Sequence, residues 1–300
     1  MTRMTWRPLV AGAILAILGA PLAAQGGAPA APDWKAVEQA LGRPGAPQPG
    51  DVYKFGLPRT DLAVRVGGVV VKPALALGSW VAFKPAGSGA LVMGDLVLTE
   101  SEVEPVMQAL AQGGVDVTAV HHHLLHETPR VYYMHIHGMG DAAALARTLH
   151  AALALTRTPA PAAAAHAGPF ALDTARIAQA LGHSGKVNGG VYQVSVARPD
   201  TIRDDSIVIP PAMGVATGMN FQPTAGGKAA VTGDFVLRAN EVNPALQALR
   251  AHGIEVTALH SHMLDEEPRL LFMHFWAVGD AAALAHGLRA ALDVIGTPSR

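Results

Sequence analysis

The sequence predicts an α+β protein of two tandem homologous domains, each ferredoxin-like, with a β-α-β-β-α core preceded by an extra N-terminal helix and strands. Three observations carry this expectation. The chain repeats itself: residues 115–146 align with residues 254–285 at a constant offset of 139, and 18 of those 32 positions are identical. A repeat decides an architecture before any local feature does. Within each copy, apolar spacing switches between the helical period and strand alternation. Finally, 300 residues correspond to about two domains.

Taken in order, the chain opens with Arg3 and Arg7, an uncharged run over 9–18, and a small-residue end at Gly19-Ala20-Pro21-Leu22-Ala23-Ala24. That layout is a cleavable secretory signal over 1–24, and its apolar run is short for a ~20-residue membrane span. Removing it takes two arginines and no acid, so the formal charge of −1 becomes 20 − 23 = −3. The expectation is a secreted or periplasmic protein with no stable membrane span in its mature chain. The first repeat, 33–155, begins with a helix over 34–41 closed by Gly42. Strands follow around 53–57, over 62–71 with a turn at Gly67-Gly68, and over 91–98. Ser101 with Glu104 forms a capping box for a helix to about 112, stopped by Gly113-Gly114. Residues 115–125 and 131–138 alternate as a hairpin around 127–130, and Asp141 caps a last alanine-rich helix to about 153. A Pro/Ala-rich spacer over 156–169 leads to the second repeat, 170–296. There a helix over 172–181 ends at Gly182, and Asn240 and Asp280 are the equivalent caps. Asp95 and Asp234, each after a glycine, read as turn residues; Glu102 and Glu241 complement helix starts.

Composition narrows the function. Apolar residues make up 50% of the chain and charged residues 15%, the reverse of a disordered composition. A net charge of −1 supplies no basic face for nucleic acid. Zero cysteines exclude disulfides, thiolate metal sites and a cysteine nucleophile. No nucleophile elbow, Walker loop or dinucleotide fingerprint is present, so no nucleotide or organic cofactor is indicated. The excess that remains is histidine, 14 residues.

Strand alternation sorts these histidines. One face of the first hairpin collects Thr118, Val120, His122, Leu124, Tyr132, Met134 and Ile136, an apolar set suited to lie under helices. The other face holds His121, His123, His135 and His137, with Tyr133. Its counterpart holds His260, His262 and His274, with Phe272 and Trp276. A turn centred on Pro129 sets His121 opposite His137 and His123 opposite His135. Imidazole nitrogen suits zinc, copper or nickel, so these seven histidines are the candidate metal ligands. Tyr133, Phe272 and Trp276 are candidate walls of a ligand site. Glu127 and Glu266, in the hairpin turn, are candidate catalytic carboxylates.

The segments Thr-Ala-Leu-His260-Ser-His262-Met-Leu-Asp-Glu266-Glu-Pro268-Arg269, Phe-Met-His274-Phe-Trp276 and Gly279-Asp280-Ala resemble the LppY/LpqO family of exported bacterial proteins, a domain of unknown function. The resemblance spans both copies and implies export and duplication, without an activity. It does not carry over lipid anchoring, because the chain has no cysteine to acylate. Three readings stand together: a transition-metal or small-ligand binding protein whose repeats pack against each other, a metal-dependent hydrolase of the cell envelope, and a metal-free binding or interaction module.

Overall fold

The computed structural model describes residues 32–161 and 169–296, together with Met1. The expected signal over 1–24 and the middle of the spacer lie outside the described residues. Among the described residues, no helix is long and apolar enough to cross a membrane.

The first half runs α1 (Trp34–Leu41), β1 (Ala46–Gln48), β2 (Val52–Pro58), β3 (Arg65–Val66), β4 (Val69–Val70), α2 (Pro73–Ala76), β5 (Gly78–Ala86), β6 (Gly89–Thr99), α3 (Glu100–Gln112), β7 (Asp116–His121), β8 (Glu127–Thr128), β9 (Val131–Gly140) and α4 (Ala142–Leu153). The second half repeats it. It runs α5 (Thr174–Leu181), β10 (Lys186–Asn188), β11 (Val191–Ala197), β12 (Arg203–Asp204), β13 (Ile207–Val208), β14 (Ala216–Pro223), β15 (Ala229–Leu237), α6 (Val242–Ala251), β16 (Glu255–His260), β17 (Glu266–Glu267), β18 (Leu271–Gly279) and α7 (Ala281–Leu292), with short 3₁₀ turns at residues 211–213, 225–227 and 239–241. Each half is one six-stranded antiparallel sheet, β1-β2-β5-β6-β9-β7 or β10-β11-β14-β15-β18-β16, with a three-stranded sheet beside it. The protein is therefore α+β with two similar halves.

One face of each sheet buries against its own helices. In the first half Phe55, Phe83, Val92, Met134 and Ile136 pack under Val106, Leu110, Leu145 and Leu149. Met219, Phe221, Phe235 and Phe275 do the same with Leu249, Leu284 and Leu288. The other faces share two apolar clusters that draw on both halves: Ala82, Leu91 and Met93 with Val236, Met263 and Phe272, and Val97, Leu124 and Tyr133 with Val191, Ala230 and Trp276.

Several expectations need correction. The stretch over 62–71 is two dipeptide strands, because Gly67 and Gly68 turn it back on itself at φ 53° and 85°. Strand β5 has no counterpart in the sequence reading. Helix α3 starts earlier than the Ser101–Glu104 box: Thr99 is its cap, and Thr99 N donates to Glu102 Oε2 at 2.8 Å. Asn240 lies inside a 3₁₀ turn, and Arg238 N donates to Glu241 Oε2 at 2.7 Å. Asp95 and Asp234 are mid-strand rather than in turns, paired across the ladder with His135 and His274. The caps at Asp141 and Asp280 are present, accepting from Ala144 N and Ala283 N.

Candidate metal centre between the two halves

The histidine strands are aimed by a bulge. Strand β7 pairs with β9 as Val117↔Ile136 and then Ala119↔His135, so Thr118 is the extra residue. The ladder continues to His121↔Tyr133, and His137 pairs with Asp116. This replaces the expected opposition of His121 with His137 and His123 with His135. A bulge re-aims side chains, and here it swings Thr118 away from the helices towards the other half. Its Oγ1 donates to His262 O at 2.6 Å, while Thr257, the extra residue between Val256 and Ala258, donates to His123 O at 2.5 Å. The two halves thus hold each other's histidine loops by the same bond, exchanged.

Six of the seven candidate histidines meet there. His121 lies tilted against its equivalent His260 with ring centroids 3.5 Å apart, and His123 stacks on His274 and His135 on His262 at 3.7 Å each. Pairing of unlike equivalents, with one self-equivalent pair in the middle, is the signature of an approximate two-fold axis. Tyr133 covers His123 and Phe272 covers His262, each at 3.4 Å. Trp276 lies instead in the apolar cluster beside Tyr133. His137 is outside the group: its Nε2 pairs with Asp204 Oδ2 of the other half at 2.6 Å.

The second ring nitrogen fixes the direction of the first. His274 Nδ1 meets Gly233 O at 3.0 Å, and His135 is bonded by the backbone of Gly94. Anchoring one nitrogen on a carbonyl sets the tautomer and leaves Nε2 free to ligate. Among the described residues, Nε2 of His123, His135, His262 and His274 and both ring nitrogens of His121 and His260 are buried without a hydrogen-bond partner. That makes eight orphaned nitrogens in one place. Each unsatisfied buried polar atom costs about 1–3 kcal/mol, so a partner for these nitrogens stabilises the fold.

Protonation does not relieve this cost. Burial, then the neighbouring imidazoles, lowers His121 and His274 to about 3 and His260 to about 2. The same causes hold His123, His135 and His262 well below the ordinary histidine range. Neutral imidazole is the form that binds metal. Three sets of side chains place their ligand atoms within 4.8 Å of one another: His121, His123, His260 and His274; His135, His260 and His262; and Asp95, His123 and His135.

Above the cluster lies a cavity of about 1070 Å³, reached by His123, His135, His262 and His274 and also lined by Asp95, Asp234, Lys54 and Trp80. Burial raises Asp95 to about 8 and Asp234 to about 7. Burial lowers Lys54 to about 8; its Nζ lies 3.9 Å over the Trp80 ring and donates to Ala212 O at 2.9 Å. Sequence reasoning missed Asp95, Asp234, Lys54 and Trp80 as site residues. A signal existed for the first two, since Gly94-Asp95 and Gly233-Asp234 are part of the repeat. Glu127 and Glu266 line neither the cavity nor a ligand set. Glu127 Oε1 accepts from Val131 N at 3.1 Å and Glu266 Oε1 from Leu270 N at 2.8 Å, tying down the turns that contain the cis bonds Thr128–Pro129 and Glu267–Pro268. Burial raises Glu127 to about 7.

No curated protein matches the chain. Among solved structures it is similar to the trimeric bacterial microcompartment shell protein PduB, at 15% identity over 83% of this chain and 89% of that one, with a TM-score of 0.22. EtuB from Clostridium kluyveri matches at 11% identity over 83% and 88%, with a TM-score of 0.21. At those scores the likeness carries no argument. The family described as Domain of Unknown Function (DUF1259) matches twice, over residues 35–155 and 175–294, so the chain is a tandem member of that family.

Proposed function

We propose that this is an exported protein, related to the LppY/LpqO group, whose two ferredoxin-like halves pack as a pseudo-symmetric dimer around a transition-metal site. The order β6-β9-β7, with α3 joining β6 to β7, supports the ferredoxin-like reading. The observation that carries the metal is the convergence of eight buried, unpartnered imidazole nitrogens. Metal binding contributes on the order of 10–16 kcal/mol in small structural zinc sites. Nitrogen-rich donors suit zinc, copper or nickel.

The test is elemental analysis of untagged protein purified without chelator. Near-stoichiometric transition metal is expected, lost when His121, His123 and His135 are all changed to alanine. Metal-free protein that takes up none of the three ions overturns the proposal, as does full retention by the triple variant. Export is tested by recovering the chain outside the cytoplasm with its N-terminus near residue 25.

Two other readings each have an observation in their favour. The cavity beside the cluster supports a metal-dependent hydrolase as a second reading, with Asp95, which lines that cavity while Glu127 and Glu266 do not, as the candidate base. The close ring stacking favours a metal-free binding module, in which thermal stabilisation by envelope fragments but not by metals is expected.

A further inference from the structure

We infer that the cluster is a two-ion centre in which His260 serves both ions and Asp95 lies between them on the cavity side. This rests on the metal-binding reading above and deepens it. His260 belongs to both all-histidine sets, the one with His121, His123 and His274 and the one with His135 and His262. The approximate two-fold axis carries His121, His123, His260 and His274 onto His260, His262, His121 and His135, and the second set holds three of those four, lacking His121. A single ion cannot draw on all six rings with tetrahedral geometry.

The nitrogens divide the same way. His123, His135, His262 and His274 each have one orphaned nitrogen and can serve one ion. His121 and His260, exchanged by the axis, have two each, and of the two only His260 belongs to both sets. An imidazole carries one proton across its two nitrogens, so His260 gives that proton to solvent when it serves two ions. Asp95 completes the arrangement. It shares a ligand set with His123 of the first nest and His135 of the second, and its buried Oδ1 has no hydrogen-bond partner. Two ions in a buried site need anionic ligands, and a carboxylate joining them on the cavity side supplies charge where a small oxygen ligand enters. The ligand class is divalent zinc or copper.

The full chain is stripped with chelator, then titrated separately with Zn²⁺ and Cu²⁺, reading metal per chain and the copper electron paramagnetic resonance. Two ions per chain are expected, with the copper signal attenuated by spin coupling at the second equivalent. His260→Ala is expected to hold at most one ion, with an uncoupled signal. Asp95→Asn, which keeps side-chain shape, is expected to weaken binding of the second ion at least tenfold. One ion per chain in the unaltered protein overturns the two-ion centre while leaving the metal proposal intact. Two uncoupled ions, or two ions kept by His260→Ala, overturn the bridging role. Failure to bind either metal falls on the metal proposal itself.

Discussion

At the residue scale, the contacts that hold the site together are short and exchanged. Thr118 Oγ1 donates to His262 O at 2.6 Å, across the boundary between the halves. Thr118→Val keeps the shape and removes the donor, leaving a carbonyl without its side-chain donor. We expect a loss of about 1–2 kcal/mol in urea unfolding of stripped protein, restored by Thr118→Ser. Equal midpoints for all three proteins would show the bond contributes nothing. These residues were only partly legible in the sequence. Alternation put His121, His123 and His135 on one face because the ladder from Ala119 to His121 is regular. It put Thr118 on the wrong face because a bulge consumes one residue without any local mark. It included His137, which lies beyond the bulge and is captured by Asp204.

At the element scale, strands β6 and β15 pass through the centre of their sheets, and a glycine in each does what no other residue can. A Cβ on Gly233 would lie 1.9 Å from Gly218 O, on the neighbouring strand. Gly233 O also orients His274. Gly233→Ala therefore forces β14 and β15 apart and tilts a candidate ligand, His274. Its expected outcome is a lower melting temperature together with weaker metal retention in competition with a chelator; unchanged retention would separate the strand from the site. The Gly-Asp pairs read as turns because glycine and aspartate favour turns locally, whereas burial in a two-sided sheet overrides that preference. A second device recurs in both halves. Arg59, fully buried, bonds Glu102, Asp61 and Val97 O, and Arg198 repeats this with Glu241, Asp200 and Val236 O. Breaking such a buried pair costs about 3–5 kcal/mol, so Glu102→Gln is expected near the lower end, with Asp61 still in place. Denaturation that shifts by less than about 1 kcal/mol would contradict it. No spacing in the sequence announces this pair, since Arg59 and Glu102 are 43 residues apart.

At the scale of the whole molecule, the site sets a pH profile. The folded imidazoles lie far below the ~6.5 of an unfolded chain, so the folded state binds fewer protons. Their contribution is complete above ~6.5 and is lost as pH falls towards about 3. Asp95 and Asp234 act oppositely: raised to about 8 and about 7, they favour the folded state below ~3.9 and lose that contribution as pH rises through those values. Stripped protein is expected to melt highest near neutrality and to lose stability on both sides. Metal, which needs ionised carboxylate and neutral imidazole, should restore the alkaline side. A melting temperature of stripped protein flat from about pH 3 to about pH 8 would mean these groups are not buried in that state. The duplication and its two sheets were legible because identical residues recur at a fixed offset. The cavity was not, because it exists only once the helix-free faces meet.

The two walls of that cavity are not mirror copies. Where the first half pairs Trp80 with Asp95 and carries Lys54, the second pairs Gly218 with Asp234 and carries Gln193. A dimer of identical chains presents the same chemistry from both sides and cannot tell one end of a guest from the other. Fusing the copies into one polypeptide lifted that restriction. Asp95 and Asp234 line the chamber from both halves, but Lys54 and Trp80 line it from one half only and Gln193 from the other, so its two walls differ in chemistry.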